Sequence, residues 1–276
     1  MTWHAHLQLH LQREAGRSVA RFRHDGPLRV LQTLYPEGDA ICHNVLVHPP
    51  GGLVGGDLLD IAVQVDDGAH GVITTPGAAR FYRSDGAPAI QRVQLSLAAG
   101  ARLEWLPHEA ICYSGCIAEN RLTMQLAPGA EVLGWDVCAL GLPAAGQAFE
   151  RGSLLQHLAL NESWLERGHL RASDTRLLDS PLGLAGRRCL ATLWFAAGQD
   201  LQRDRAADAL AAAREVIDAS PLASTAGATS PCGQLIVVRV IADLVEPAMG
   251  LLRSVRDAWR GRLWSLPPTQ PRLWAL

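Results

Sequence analysis

The sequence predicts a mainly β chain, built as a β-helical, solenoid-like stack of sheets, with two α-helices in its C-terminal third. Three observations carry this reading. Apolar and polar residues alternate with a period of two up to about residue 195. A short turn of one composition recurs, and helical spacing appears only late.

Taken in order, the N-terminal run alternates His4, His6 and His10 with Ala5, Leu7, Leu9 and Leu11. A strand places alternate residues on opposite faces, so the three imidazoles share one face. That row reads as a solvated face, with metal binding as the alternative because imidazole is a good ligand for divalent transition metals. Leu59, Ile61, Val63 and Val65 against Asp60, Ala62, Gln64 and Asp66 describe a half-buried strand, and similar strands follow at 93–97, 103–106, 122–126 and 154–160. The turns Asp67-Gly68-Ala69, Ala99-Gly100-Ala101 and Pro128-Gly129-Ala130 recur at intervals of roughly 30 residues, each leading into a strand. Repeated turn-then-strand units favour stacked coils over a closed barrel. Residues 203–219 are alanine-rich with Leu210, Ala213 and Ile217 on one stripe. Residues 247–263 repeat Met249, Leu252, Arg256, Trp259 and Leu263 at steps of three or four, with Pro247 in the first turn. Between the helices, 235–241 is a nearly continuous apolar run suited to a buried strand. Residues 220–233, rich in Ser, Thr, Ala, Pro and Gly, read as a mobile connection.

The segment His48-Pro49-Pro50-Gly51-Gly52-Leu53-Val54-Gly55-Gly56-Asp57 joins two of these strands. Glycine admits positive φ and close backbone approach, and proline fixes φ, so this loop has a defined and unusual backbone. Function concentrates in such loops.

All 25 Lys+Arg residues are arginine. Without lysine there is no nucleotide P-loop, no kinase site and no pyridoxal Schiff base. The glycine spacing also misses the dinucleotide fingerprint, so no tightly bound cofactor is expected. At 29.7 kDa and 48% hydrophobic residues, the chain can bury a large core, and one domain over residues 1–276 is expected. A net charge of -2 gives no long-range attraction for nucleic acid. No apolar run approaches a membrane span and no secretory leader opens the chain, which points to the cytoplasm. The six cysteines then read as reduced thiols.

Several side chains are candidates for chemistry. Cys42, His43 and His48 offer soft ligands, although consecutive residues on a strand point apart, so Cys42 and His43 cannot simply chelate together. Cys112 with His108 and Asp136 can be drawn as a cysteine-hydrolase triad, the rival reading of function. Arg253, Arg256 and Trp259 on the last helix are residue types favoured at protein interfaces.

Ordered blocks run along nearly the whole chain: Tyr35-Pro36-Glu37-Gly38, His48-Pro49-Pro50-Gly51-Gly52, Gly55-Gly56-Asp57, Thr75-Pro76-Gly77-Ala78, Phe81-Tyr82-Arg83-Ser84, Leu103-Glu104-Trp105-Leu106-Pro107, Gly134-Trp135-Asp136 and Trp164-Leu165-Glu166-Arg167. On these the sequence resembles the UreD/UreH family of urease accessory proteins. The resemblance implies a β-helical fold with two helices and a non-enzymatic role. With UreF and the GTPase UreG, such a protein docks on apo-urease and helps deliver nickel to the enzyme's dinuclear site. It also implies an internal passage for transient Ni2+, lined or gated by Asp57, Ala79, Asp136 and Glu166. Hard oxygen ligands suit transit because they hold a divalent ion weakly enough to release it. The chain departs from the family pattern at Ala79, where Ser or Thr is frequent.

Overall fold

In the computed structural model, which describes residues 2–275, the chain begins with β1 (His4–Glu14), β2 (Arg17–Asp25), β3 (Arg29–Val30), β4 (Ile41–Val47), β5 (Leu58–Val65) and β6 (His70–Thr74). It continues through β7 (Ala79–Phe81), β8 (Ala89–Leu97), β9 (Arg102–Leu106), β10 (Ala110–Cys112), β11 (Cys116–Leu126), β12 (Glu131–Leu140), β13 (Gly152–Leu160) and β14 (Trp164–Arg171). The last part comprises α1 (Thr175–Asp179), β15 (Cys189–Ala197), α2 (Arg203–Asp218), β16 (Ala226–Cys232), β17 (Leu235–Ala242) and α3 (Val245–Trp264).

The strands wind as a β-solenoid of about four turns. β1, β5, β8, β11 and β13 stack in parallel to form one sheet, flanked by antiparallel β2 and β14. β4, β6, β9 and β12 stack in parallel to form the other. Register carries the alternation of one coil onto the next. Leu7, Ile61, Val93, Leu122 and Leu158 are successive cross-strand partners and all are buried. The recurring turns stack as well. Ala69 N–H bonds the Asp66 carbonyl at 3.0 Å, Ala101 that of Ala98 at 3.2 Å and Ala130 that of Ala127 at 3.0 Å. Gly68, Gly100 and Gly129 take φ of 65°, 66° and 80° at equivalent positions, a conformation that favours glycine.

Beyond the stack, β15, β17 and β16 extend the second sheet antiparallel, and α2 and α3 cover its outer face. Two cores result. One lies between the sheets, and the other packs Trp135, Phe195 and Ile236 against Ile217, Leu252 and Trp259. α3 is also fastened by charge. Arg256 Nε donates to Glu104 at 2.7 Å, while Arg260 binds both Glu104 and Glu37. Glu104, Arg256 and Arg260 are each 0% exposed.

Two expectations need correction. Residues 220–233 are not a mobile connection but contain β16, paired with β17 across a hairpin and tied to α2 by Arg214, which donates to the Ala228 carbonyl at 3.2 Å. Turn-forming residues adopt the strand because β17, immediately following, supplies the hydrogen bonds. On α3, Arg256 and Trp259 are fully buried, so neither offers a partner-binding surface. Arg253 is half-buried and stacks over the Trp274 ring. α1, only five residues long, escapes periodicity and is set by Asp174, whose side chain accepts from Leu177 N–H at 3.0 Å.

Candidate functional site

Between the two sheets lies a cavity of about 270 Å³. Its wall takes Leu59 from β5, Gln91 from β8, Asn120 from β11 and Asp136 from β12, so it follows the stack across successive coils. The glycine-rich loop borders it, contributing His48, Gly51 and Gly52, and Ala79 and Arg80 line it from β7. This loop is pinned, not floppy. Leu53 N–H bonds the Arg80 carbonyl at 2.7 Å and Tyr82 N–H returns to Leu53 at 2.8 Å. A Cβ on Gly52 would lie 2.3 Å from the Tyr82 ring, so only glycine lets the loop lie this close to β7.

The positions implied by the family resemblance separate into two groups. Ala79 and Asp136 line the cavity, whereas Asp57 and Glu166 lie outside its wall. Asp57, 2% exposed, accepts from Trp3 N–H at 2.7 Å and Val54 N–H at 2.9 Å, so it ties the first strand to the loop. His48 is held behind it. Burial lowers the His48 pKa, the Asp57 charge partly opposing this, and its Nε2 is buried without a hydrogen-bond partner among the described residues.

Asp136 is 8% exposed and reaches from one sheet to the other. Its Oδ2 accepts from Asn120 Nδ2 at 2.6 Å and its Oδ1 from Gln156 Nε2 at 2.7 Å. Gln91 Nε2 donates in turn to Asn120 Oδ1 at 3.2 Å. Burial pushes the Asp136 carboxyl up to about 6; the two amides pull it down and the nearby Glu166 charge pushes it further up. Gln91, Asn120 and Gln156 are successive cross-strand partners, an inward amide row beside the aliphatic one. Glu166 sits on β14 opposite Leu158 and binds the Arg239 guanidinium, with Nε at 3.1 Å.

The other candidates do not converge. Cys42 Sγ points toward the His70 carbonyl at 3.6 Å, its thiol pushed up to about 11 by burial, while His43 faces Glu37 at 2.9 Å. His48 is on the cavity wall. His4 and His6 are exposed on the outer face, and His10 lies 2.7 Å from Asp66. Among the described residues, no three His, Cys, Asp or Glu side chains are grouped to hold a metal ion. Among the described residues no hydrogen bond links Cys112, His108 and Asp136 as a hydrolase triad would require. Cys112 is fully buried, its thiol raised by a hydrogen bond with Cys116 and by burial. His108 is 2.8 Å from the Thr75 carbonyl, and Asp136 is held by amides. A raised thiol is the opposite of what a nucleophile needs.

Gln91, Asn120, Gln156 and Arg239 were not singled out from sequence. The signal available for the three amides was parity, since each falls on the inward phase of its strand.

The arrangement is that of a β-solenoid protein enclosing an internal cavity with a buried carboxylate on its wall. The model of the family described as UreD urease accessory protein matches residues 4–275. A urease accessory protein UreD of Variovorax paradoxus is similar at 64% identity over 275 residues, and one of Paracidovorax citrulli at 65% over 276, all of each chain being covered. One from Methylibium petroleiphilum is 48% identical, with 99% of each chain covered. The chain belongs to the UreD family of urease accessory proteins. No helix among the described residues is long and apolar enough to cross a membrane.

Proposed function

We propose that this protein is a non-enzymatic scaffold of urease maturation that, in the cytoplasm with UreF and UreG, docks on apo-urease and passes nickel to it through the solenoid. The ion enters past the glycine-rich loop, crosses the cavity and moves on by way of Asp136 toward Glu166. Asp136 carries the reading: a carboxyl group buried at the wall of an internal cavity costs stability, and a role in function accounts for its being there. Carboxylate oxygens suit a divalent ion that must be released again, whereas clustered thiolates would retain it. Neutral His48, with Nε2 unpartnered, offers a transient contact at the loop end. Asp57 shapes that end.

The test pairs two measurements on Asp136→Ala and Glu166→Ala proteins co-expressed with UreF, UreG and apo-urease. Complex recovery should stay at the wild-type level while the nickel content of urease falls at least about tenfold, the loss expected if about 1.4 kcal/mol of ion attraction is removed. Recovery and nickel content falling in parallel would assign these residues to structure instead.

A further inference from the structure

We propose that Gln156 and Arg239 are the gate of this passage, two latches in series that hold its carboxylates occupied and its exit shut. The inference rests on the nickel-transit reading of the cavity and goes beyond it by assigning residues to its control.

The cavity wall ends at Asn120 and Asp136. Gln156, the cross-strand neighbour of Asn120, and Glu166, opposite Leu158, occupy the next strands along the stack. Both Asp136 oxygens are taken by amide N–H donors, at 2.6 and 2.7 Å. Each oxygen keeps a second lone pair, but a bound N–H group presents positive charge to an approaching cation and draws on the carboxylate's own charge. The ion is held more weakly until one donor turns away. Asn120 is 6% exposed and fixed by Gln91, so it is the static arm. Gln156 is half-buried and contacts Asp136 by a single bond at the end of a long side chain. It is the arm that can turn.

The second latch lies one strand further. Arg239 grips one Glu166 oxygen with two nitrogens. Its register, Asp136 to Thr192 to Arg239 across β12, β15 and β17, puts it on the same transverse row as the first latch. The Arg239 side chain is 46% exposed, so it can swing into solvent without leaving a void. While closed it neutralises Glu166 and sets a positive charge in the path of an outgoing cation.

The experiment uses the purified full-length chain, with Ni2+ distributed between protein and a chromogenic chelator. Gln156→Ala should tighten Ni2+ binding about tenfold, the factor at the lower end of what one hydrogen bond to a charged group commands. Arg239→Met should speed Ni2+ release several-fold. In an Asp136→Asn background the Gln156→Ala gain should vanish, which a merely structural role would not produce. Arg239→Met changes an exposed side chain, so it remains informative if Gln156→Ala fails to fold. Wild-type binding and release in both variants, with Ni2+ uptake still lowered by Asp136→Asn, would overturn the gate and leave the passage standing. Uptake unaffected by Asp136→Asn would overturn both.

Discussion

Removing the Glu104 carboxylate should strongly destabilise the protein, although the group does not itself line the cavity. Glu104→Ala takes the shared acceptor from two guanidinium groups that are 0% exposed. Arg256 keeps Asp257 at 3.0 Å and the Thr269 carbonyl at 2.8 Å, and Arg260 keeps Glu37 and the Pro267 carbonyl at 2.9 Å. What is lost is the buried carboxylate that both guanidinium groups share and that fastens α3 to β9. Deleting one partner of a buried ion network costs about 3–5 kcal/mol, a large share of the roughly 5–15 kcal/mol that holds a folded protein together. At about 2–4 °C per kcal/mol for a chain of this size, Tm should fall by about 10 °C. The assay is thermal unfolding followed by circular dichroism, run beside a Glu104→Leu, Arg256→Met, Arg260→Met triple variant. Apolar replacement of buried ion pairs is often neutral or stabilising, and Glu37 keeps His43 at 2.9 Å, so the triple variant should recover part of the loss. A Glu104→Ala protein melting within about 2 °C of wild type would refute the reasoning.

Asp136→Asn should stabilise the protein at pH 8 by up to about 3 kcal/mol and do little at pH 4, read from denaturation midpoints at each pH. The sign follows from a folded pKa raised to about 6: the wild-type carboxyl is most favourable when protonated, and that benefit is lost as pH rises through about 6. A difference independent of pH would contradict this. Of the six cysteines, Cys232 alone is not fully buried, and burial pushes Cys42 to about 11 and Cys189 to about 12, so a thiol reagent should titrate one fast group in the native state and six after denaturation. Trp259→Ala should cost about 3–5 kcal/mol by leaving a cavity between α3 and the sheet, measured by urea denaturation, where a surface residue would cost almost nothing.

Much of the solenoid was legible because its signals are local and repeat. The stacked turns at Gly68, Gly100 and Gly129 and the apolar phase of β5, β8, β11 and β13 are written over a few residues each. β16 was not, because its Ser, Thr and Gly content favours turns in isolation and only its neighbour β17 makes it a strand. Arg256 shows the difficulty of reading charge. It fell on the stripe Met249, Leu252, Arg256, Trp259, Leu263, which marks it as inward, but arginine suggests a surface until Glu104, far away in sequence, is placed against it. The amide row behaves alike. Gln91, Asn120 and Gln156 lie in three separate repeats, and nothing within any one of them announces that the last two meet at Asp136 with Gln91 bonded behind Asn120.

The antiparallel strands that flank the parallel stack make the solenoid a ruler. β2 closes one end of the first sheet and β14 the other, so no further coil can be added in register without displacing one of them. Each coil contributes one strand spacing, about 4.8 Å. The distance from the loop bearing His48 to the strand bearing Glu166 is therefore set in whole steps by the number of repeats, and cannot be tuned continuously by side-chain changes. A variant that gained or lost one repeat would keep every local contact of the remaining coils, yet shift its two ends relative to each other by a full step, so that partners gripping both ends would no longer fit together.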